Sequence, residues 1–283
     1  MSGLVRPAEE RDIDAAVALL HERMNAKIPP ERWRRLLDYP WRPEGVERGW
    51  LVEDRGRIVG FMGTVYSDRM VAGAPKRFCD LSSWYLLSDY RGDGTGDALL
   101  QAGMAQPGVT YQTMTARRAT GRKIRALGFS ILDETRSLYR PQGAAAIPVE
   151  RDPDVIRARL SEPDRRSFDL HRDFDVHHAL VGEAGVWIVW QRKLKGDSIA
   201  YHEILHAADP GFLSAHAQGI AEAIVSGERG VLAVDSRWIS PGDDAGAIEA
   251  IPLPRWHRPA AGVGARDVDH LYSEVILLDQ KLP

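Results

Sequence analysis

Between a run that reads as strand and one that reads as helix, the chain places SDYRGDGTGDALL, residues 88–100. Gly92, Gly94 and Gly96 alternate there with Asp93 and Thr95, and Arg91 stands immediately in front. Glycine adopts φ > 0 without a Cβ penalty and lets a second group approach the main chain. A glycine turn that opens a helix aims unpaired N–H groups outward, where the helix dipole adds partial positive charge. Together these hold phosphates. Arg91 offers a bidentate partner for the same anion. The alternative is a tight strand–helix turn with no ligand. The spacing is not the G-x-G-x-x-G of dinucleotide folds, nor a Walker loop, since no Gly-Lys-Ser/Thr follows.

The elements around the turn follow from periodicity. Residues 4–8 read as a short strand ended by Pro7, and Asp12 or Asp14 can cap a helix carrying Ile13, Val17, Leu20 and Met24 at helical spacing. PPERWRRLLDY is a second helix with proline at its start. GWLVED and RIVGFMGTVYSDRMV read as strands joined by RGR, and RFCDLSSWYLL is a strand that leads into the glycine turn. A helix over DALLQAGMAQ, a strand over VTYQTMTA, a helix over RRATGRKIRAL and closing strand in FSILDETRSLYR complete the half. The order β-α-α-β-β-β-α-β-α-β defines an α/β domain with a mixed sheet, expected over residues 1–143. Residues 141–165 read as a linker with one short helix. Within 144–283, strands GVWIVWQRKL and SIAYHEILHAA, helix GFLSAHAQGIAEAIV and strand GVLAVDSRWI echo the β-β-α-β part of the first half, without obvious residue identity. A degenerate duplicate is the expectation for this smaller α/β half.

Composition bounds the function. With 283 residues, 44% apolar and 27% charged, the chain is globular and long enough for two domains. A net charge of −3 gives no overall basic field for nucleic acid. The single cysteine, Cys79, rules out a disulfide within the chain and a thiolate metal cluster, and fits a reducing compartment. No run approaches a membrane span and the N-terminus lacks an apolar signal region, so a cytoplasmic, membrane-free protein is expected.

WYLLSDYRGDGTGDALL resembles the acyl-CoA signature of the GNAT acyltransferase superfamily: a strand end, a turn, then Arg/Gln-x-x-Gly-x-Gly/Ala and a helix. Arg91, Gly94 and Gly96 fill that pattern, with Tyr85 and Leu86 at the strand end. RKIRALGF resembles the family's second signature, a helix ending in Leu127, Gly128 and Phe129. The resemblance covers roughly residues 3–140 and extends to the element order. It implies acetyl-CoA, or another acyl-CoA, as co-substrate, with no metal. The pyrophosphate would rest on Arg91, Gly92, Asp93, Gly94, Thr95 and Gly96. The pantetheine arm would run along Trp84, Tyr85, Leu86 and Leu87 like an added strand. Arg117, where relatives often carry asparagine, is counted with the cofactor-binding residues.

Acyl transfer to an amine needs a base for the ammonium, stabilisation of the developing oxyanion and, in some relatives, an acid for the thiolate. The resemblance points to Asp80, six positions before Leu86, as base. Half-buried beside Cys79 and Leu81, this carboxyl should have a raised pKa. A purely structural ion pair is the alternative. Ile124 stands where the family usually has its acidic tyrosine, which leaves Tyr139 or Tyr111 as substitutes. The acceptor is expected to be a small amine, an amino sugar among the candidates, with Trp41, Trp50 and Trp84 as possible walls. The molecule is expected as a monomer or homodimer. Two other readings stand beside an N-acetyltransferase: a non-catalytic acyl-CoA-binding module, and a zinc hydrolase using HEILH (His202, Glu203, His206), with Glu222 or Glu228 as a further ligand. A zinc site needs that motif on a helix. Here it follows a hairpin signal, and on a strand the two histidines lie roughly 13 Å apart.

Overall fold

The computed structural model describes residues 3–143, 145–227 and 229–283. Its contacts gather into two compact units. One comprises Met1–Thr115, His257–Val263 and Tyr272–Gln280; the other comprises Ala116–Trp256, Gly264–Leu271 and Lys281–Pro283.

The first unit runs β1 (Leu4–Pro7), α1 (Ile13–Leu19), α2 (Pro30–Arg34), β2 (Trp50–Asp54), β3 (Arg57–Val71), β4 (Ala74–Leu86), α3 (Thr95–Ala102) and β5 (Val109–Thr113). Its sheet has the order β1-β2-β3-β4-β5. All neighbours are antiparallel except the last, which the α3 crossover makes parallel. Arg55 and Gly56, both at positive φ, turn β2 into β3, and Ala72 and Gly73 do the same for β3 into β4. Two successive positive φ angles match the twist of the flanking strands. The first of these is the turn expected at RGR. The expected long first helix continues α1 through a wider π-type turn, Leu20–Met24. Asp12 does not cap it: its carboxylate binds Arg6 at 2.6 and 2.7 Å and accepts from the Glu9 amide. Leu20, Leu36, Leu51, Phe61, Val65, Phe78 and Leu99 fill the core. Cys79 is fully buried, and burial pushes its thiol well up, so it packs as a small apolar residue.

The second unit continues with α4 (Arg118–Arg125), β6 (Ser130–Tyr139), β7 (Val149–Glu150), α5 (Pro153–Arg159), α6 (Glu162–His171), β8 (His177–Val181), β9 (Val186–Lys195), β10 (Ile199–Ala207), α7 (Pro210–Ile224), β11 (Gly230–Asp235) and β12 (Ala247–Arg258). Its strands lie in the order β12-β6-β11-β10-β9-β8-β7. The last two residues of β12 group with the first unit, as does α8 (Glu274–Leu277). β6, read in the sequence as closing the first half, pairs antiparallel with β11 and groups with the second unit. The stretch read as a linker with one helix holds two, α5 and α6, started by Asp152 and Ser161 side chains that accept from the first-turn amides. β9-β10-α7-β11 repeats the order β3-β4-α3-β5, with β10 and β11 parallel like β4 and β5. The result is a mixed α/β architecture with helices flanking the strands.

Candidate functional site

The β4–β5 pairing is short. It runs from Arg77 opposite Val109 to Asp80 opposite Gln112, whereas β4 continues to Leu86. Beyond Asp80 the strands part, and one edge of Leu81–Leu86 has no β5 partner. A bulge accompanies the parting. On the β3 side the register slips between Phe61 and Gly63, and Ser83 takes φ 52°. Bulges re-aim side chains and end pairing.

The glycine turn follows directly. Gly92 and Gly94 have φ of 93° and 91°, which only glycine adopts at small cost, and Gly94 precedes the first residue of α3. Nothing lies within 4 Å of the Cβ position of either residue. The amides of Gly92, Gly94 and Gly96 have no hydrogen-bond partner among the described residues. The Asp93 carboxylate accepts from the Thr95 amide at 3.0 Å, so an acid of the protein holds one of these donors. The other expected residues gather here. Trp84 donates from Nε1 to the Gly96 carbonyl at 3.1 Å. Arg91 donates from Nε to the Leu86 carbonyl at 2.7 Å, with its guanidinium 5.5 Å from the Tyr85 ring centroid. The Leu87 amide donates to Val59 at 2.9 Å. Arg117 lies elsewhere in the chain's grouping, exposed at the N-cap of α4 in the second unit.

Where the strands part, Asp80 is 1% exposed. Its Oδ2 accepts from the Glu274 amide at 2.9 Å, and its Oδ1 has no partner among the described residues. Glu274, 3% exposed, takes hydrogen bonds from the Ser82 and Thr115 hydroxyls. Burial pushes the Asp80 carboxyl well up, and the Glu274 charge pushes it further; burial also raises Glu274. Two such neighbours cannot both ionise cheaply, which favours one proton held between them. Glu274 had no signal in the sequence: it lies in a segment with no motif, 194 residues from Asp80.

Other candidates have other partners. Tyr139 sits on β6 in the second unit, donating to the Asp244 carbonyl at 2.6 Å, with burial raising its hydroxyl to about 12. The Tyr111 hydroxyl accepts from the Gln106 amide at 3.1 Å. Trp41 packs edge-on against Tyr272 at 5.5 Å, and Trp50 donates to Glu47 at 3.0 Å. HEILH lies on strand β10, where its members diverge. Glu203 binds Arg136 at 3.2 Å, Lys195 at 2.6 Å and Gln191 at 2.9 Å, while His206 binds Asp269 at 2.7 Å. Glu222 accepts from the Gln142 amide at 2.7 Å, and Glu228 lies outside the described residues. The motif therefore lacks the shared helical face its metal chemistry requires.

In the second unit, the features matching the β4 edge and the glycine turn are filled from within. The Leu205 carbonyl on β10 accepts from the His270 amide at 2.9 Å. Asp209 accepts from the Gly211 and Phe212 amides at 2.9 and 3.0 Å, and no glycine turn precedes α7.

The comparisons agree with this geometry. The model of the acetyltransferase (GNAT) family matches residues 16–106, which span β2, β3, β4, the glycine turn and α3. A GCN5-related N-acetyltransferase from Kribbella flavida is similar in fold with a TM-score of 0.57 at 13% identity, over 90% of this chain and 71% of that one. One from Anabaena variabilis ATCC 29413 has a TM-score of 0.54 at 13% identity, over 90% and 71%. No curated protein matches the chain in sequence. Residues 16–106 thus match the acetyltransferase (GNAT) family model, and the chain shares the α/β fold of the GCN5-related N-acetyltransferases compared with it.

Proposed function

We propose that the first unit is an acyl-CoA-dependent N-acyltransferase, with acetyl as the default acyl group and a small amine as acceptor. One observation carries the reading: β4 leaves β5 directly after a buried carboxyl pair and ends in a glycine turn with open amides. The amides of Gly92, Gly94 and Gly96 and the positive end of α3 bind the pyrophosphate. Asp93 leaves the Thr95 amide, and Arg91 turns from the Leu86 carbonyl to the phosphate. The pantetheine arm lies along the open edge of β4 from Trp84 to Leu87, which sets the thioester in the parting of the strands. The ionised member of the Asp80–Glu274 pair takes the ammonium proton, directly or through one water. The free amine attacks the thioester carbonyl, the C–N bond forms, the C–S bond breaks, and the proton that the acylated nitrogen gives up passes through solvent to the departing CoA thiolate. Desolvation keeps this base weakly ionised, which matches its proton affinity to an amine's better than an ordinary carboxylate would. The second unit is a degenerate copy in which protein groups occupy the cofactor positions.

Calorimetric titration of acetyl-CoA into the wild type and into Gly94→Glu tests the binding half. Binding lost in the variant supports the assignment, and binding by both or by neither rejects it. Thiol release over a panel of amines and amino sugars then tests the transfer. Asp80→Asn is expected to slow it by about 10²–10⁴-fold with acetyl-CoA affinity kept. Ile124 at the place of the usual tyrosine favours a second reading, a binding module without turnover. Tight binding with no thiol release by any amine selects that one.

A further inference from the structure

The second unit contains a cavity of about 500 Å³ that plays no part in the reading above. One wall is a single face of the sheet. On β9, Trp190 and Arg192 are two apart and share that face; His177 on β8 lies opposite Trp190, and His202 on β10 lies opposite Arg192. Ile156 on α5 and the exposed Arg151 and Arg172 also line it, and so does Phe168 on α6, whose ring packs edge-on against His178 at 4.8 Å, the residue next to His177 that points to the other face of the sheet. Among the described residues no carboxylate lines the cavity, so three guanidiniums face it without a counter-charge in its wall. Arg192 is exposed and has no partner among the described residues. Among the described residues, Arg151 donates to the Ala223 carbonyl at 2.8 Å, and Arg172 lies 3.9 Å from Asp173 and within electrostatic reach of Asp169, neither of which lines the cavity.

His202 is the second, independent sign. It is 3% exposed, lines the cavity and leaves both ring nitrogens without a partner among the described residues. A buried polar group in that condition costs free energy unless something supplies its hydrogen bonds. Burial lowers its pKa to about 4, so the ring is neutral and can both donate and accept. The His177 ring stacks on Trp190 at 5.3 Å and 28°, which sets a flat surface beside the basic rim.

We propose that this cavity is a binding site for a small planar organic anion, with its acidic group on Arg192, Arg172 and Arg151, its ring against the stacked Trp190 and His177, and a polar edge on His202. The volume suits a molecule of one or two fused rings. Guanidinium forks serve a carboxylate and a phosphate alike.

Calorimetry with two anionic probes and their neutral counterparts tests this: 1-naphthoate against 1-naphthamide, and adenosine monophosphate against adenosine. The expected result is that at least one anion binds at least about tenfold tighter than its neutral partner, that Arg192→Gln removes this preference, and that Arg192→Lys restores part of it. His202→Leu should weaken the same probe, while both Arg192 variants keep the wild-type melting temperature and acetyl-CoA affinity. Equal binding of anion and neutral probe, binding untouched by Arg192→Gln, or no binding by either anion overturns the proposal. Preference for naphthoate assigns a carboxylate ligand, and preference for the nucleotide a phosphate.

Discussion

Asp80 and Glu274 occupy one desolvated place, and the consequence is a sign that can be measured. A carboxyl whose folded pKa is raised binds more protons in the native state, so it contributes stability below the ordinary carboxylate range and loses it as pH rises through the folded value. The wild type should therefore melt progressively lower as pH rises above that range. Asp80→Asn keeps an acceptor for the Glu274 amide and carries no charge. It should melt higher than the wild type at neutral pH, by at least about 2 °C, and show a flatter pH dependence. Melting curves at acid and neutral pH check this. If the pair is also the base, turnover rises with pH through the raised value, and the same substitution that stabilises the fold abolishes the rise. Asp80 was a candidate at the level of sequence because the family resemblance points to it and strand alternation places it. Glu274 was not, because what joins it to Asp80 is a tertiary contact with no local pattern.

Elements were legible where chemistry is local. The positive-φ pairs at Arg55–Gly56 and Ala72–Gly73 lie at hairpin turns, and the glycine turn opens a helix as expected. Other elements were missed because their signal is weak: β8 is five residues and β7 is two. α5 and α6 had readable caps in Asp152 and Ser161, but the proline and arginine content of that stretch suggests a linker. On α4, Gly121 is required for packing. A Cβ there would meet Trp256 Cζ2 at 2.7 Å, so Gly121→Ala should destabilise the second unit by about 1–3 kcal/mol, read by denaturant unfolding. At Gly94 the neighbourhood is open and only the backbone resists. Gly94→Ala should cost about 1–2 kcal/mol from its φ alone.

At the scale of the whole molecule, the two units put the same local order to different uses. In the first, the end of the parallel pair holds Asp80, which accepts from the Glu274 amide; in the second, the equivalent end of β10 holds Glu203, tied to Arg136 and Lys195. Glu203→Gln would leave those buried cations under-compensated and should cost about 3 kcal/mol, seen as an earlier unfolding transition in denaturant. No described helix is long and apolar enough to cross a membrane. By itself the sequence determined the mixed α/β class, the order of elements through the glycine turn and the position of that turn, because alternation, turn chemistry and glycine conformation act over a few residues. Only the tertiary structure decided that Glu274 joins Asp80, that Glu203 and His206 of HEILH, already legible as a strand, meet separate partners, and that basic and aromatic side chains of β8, β9 and β10 line one cavity. Those outcomes depend on which distant segments pack together, and burial, which sets the charge of each group, exists only once they have done so.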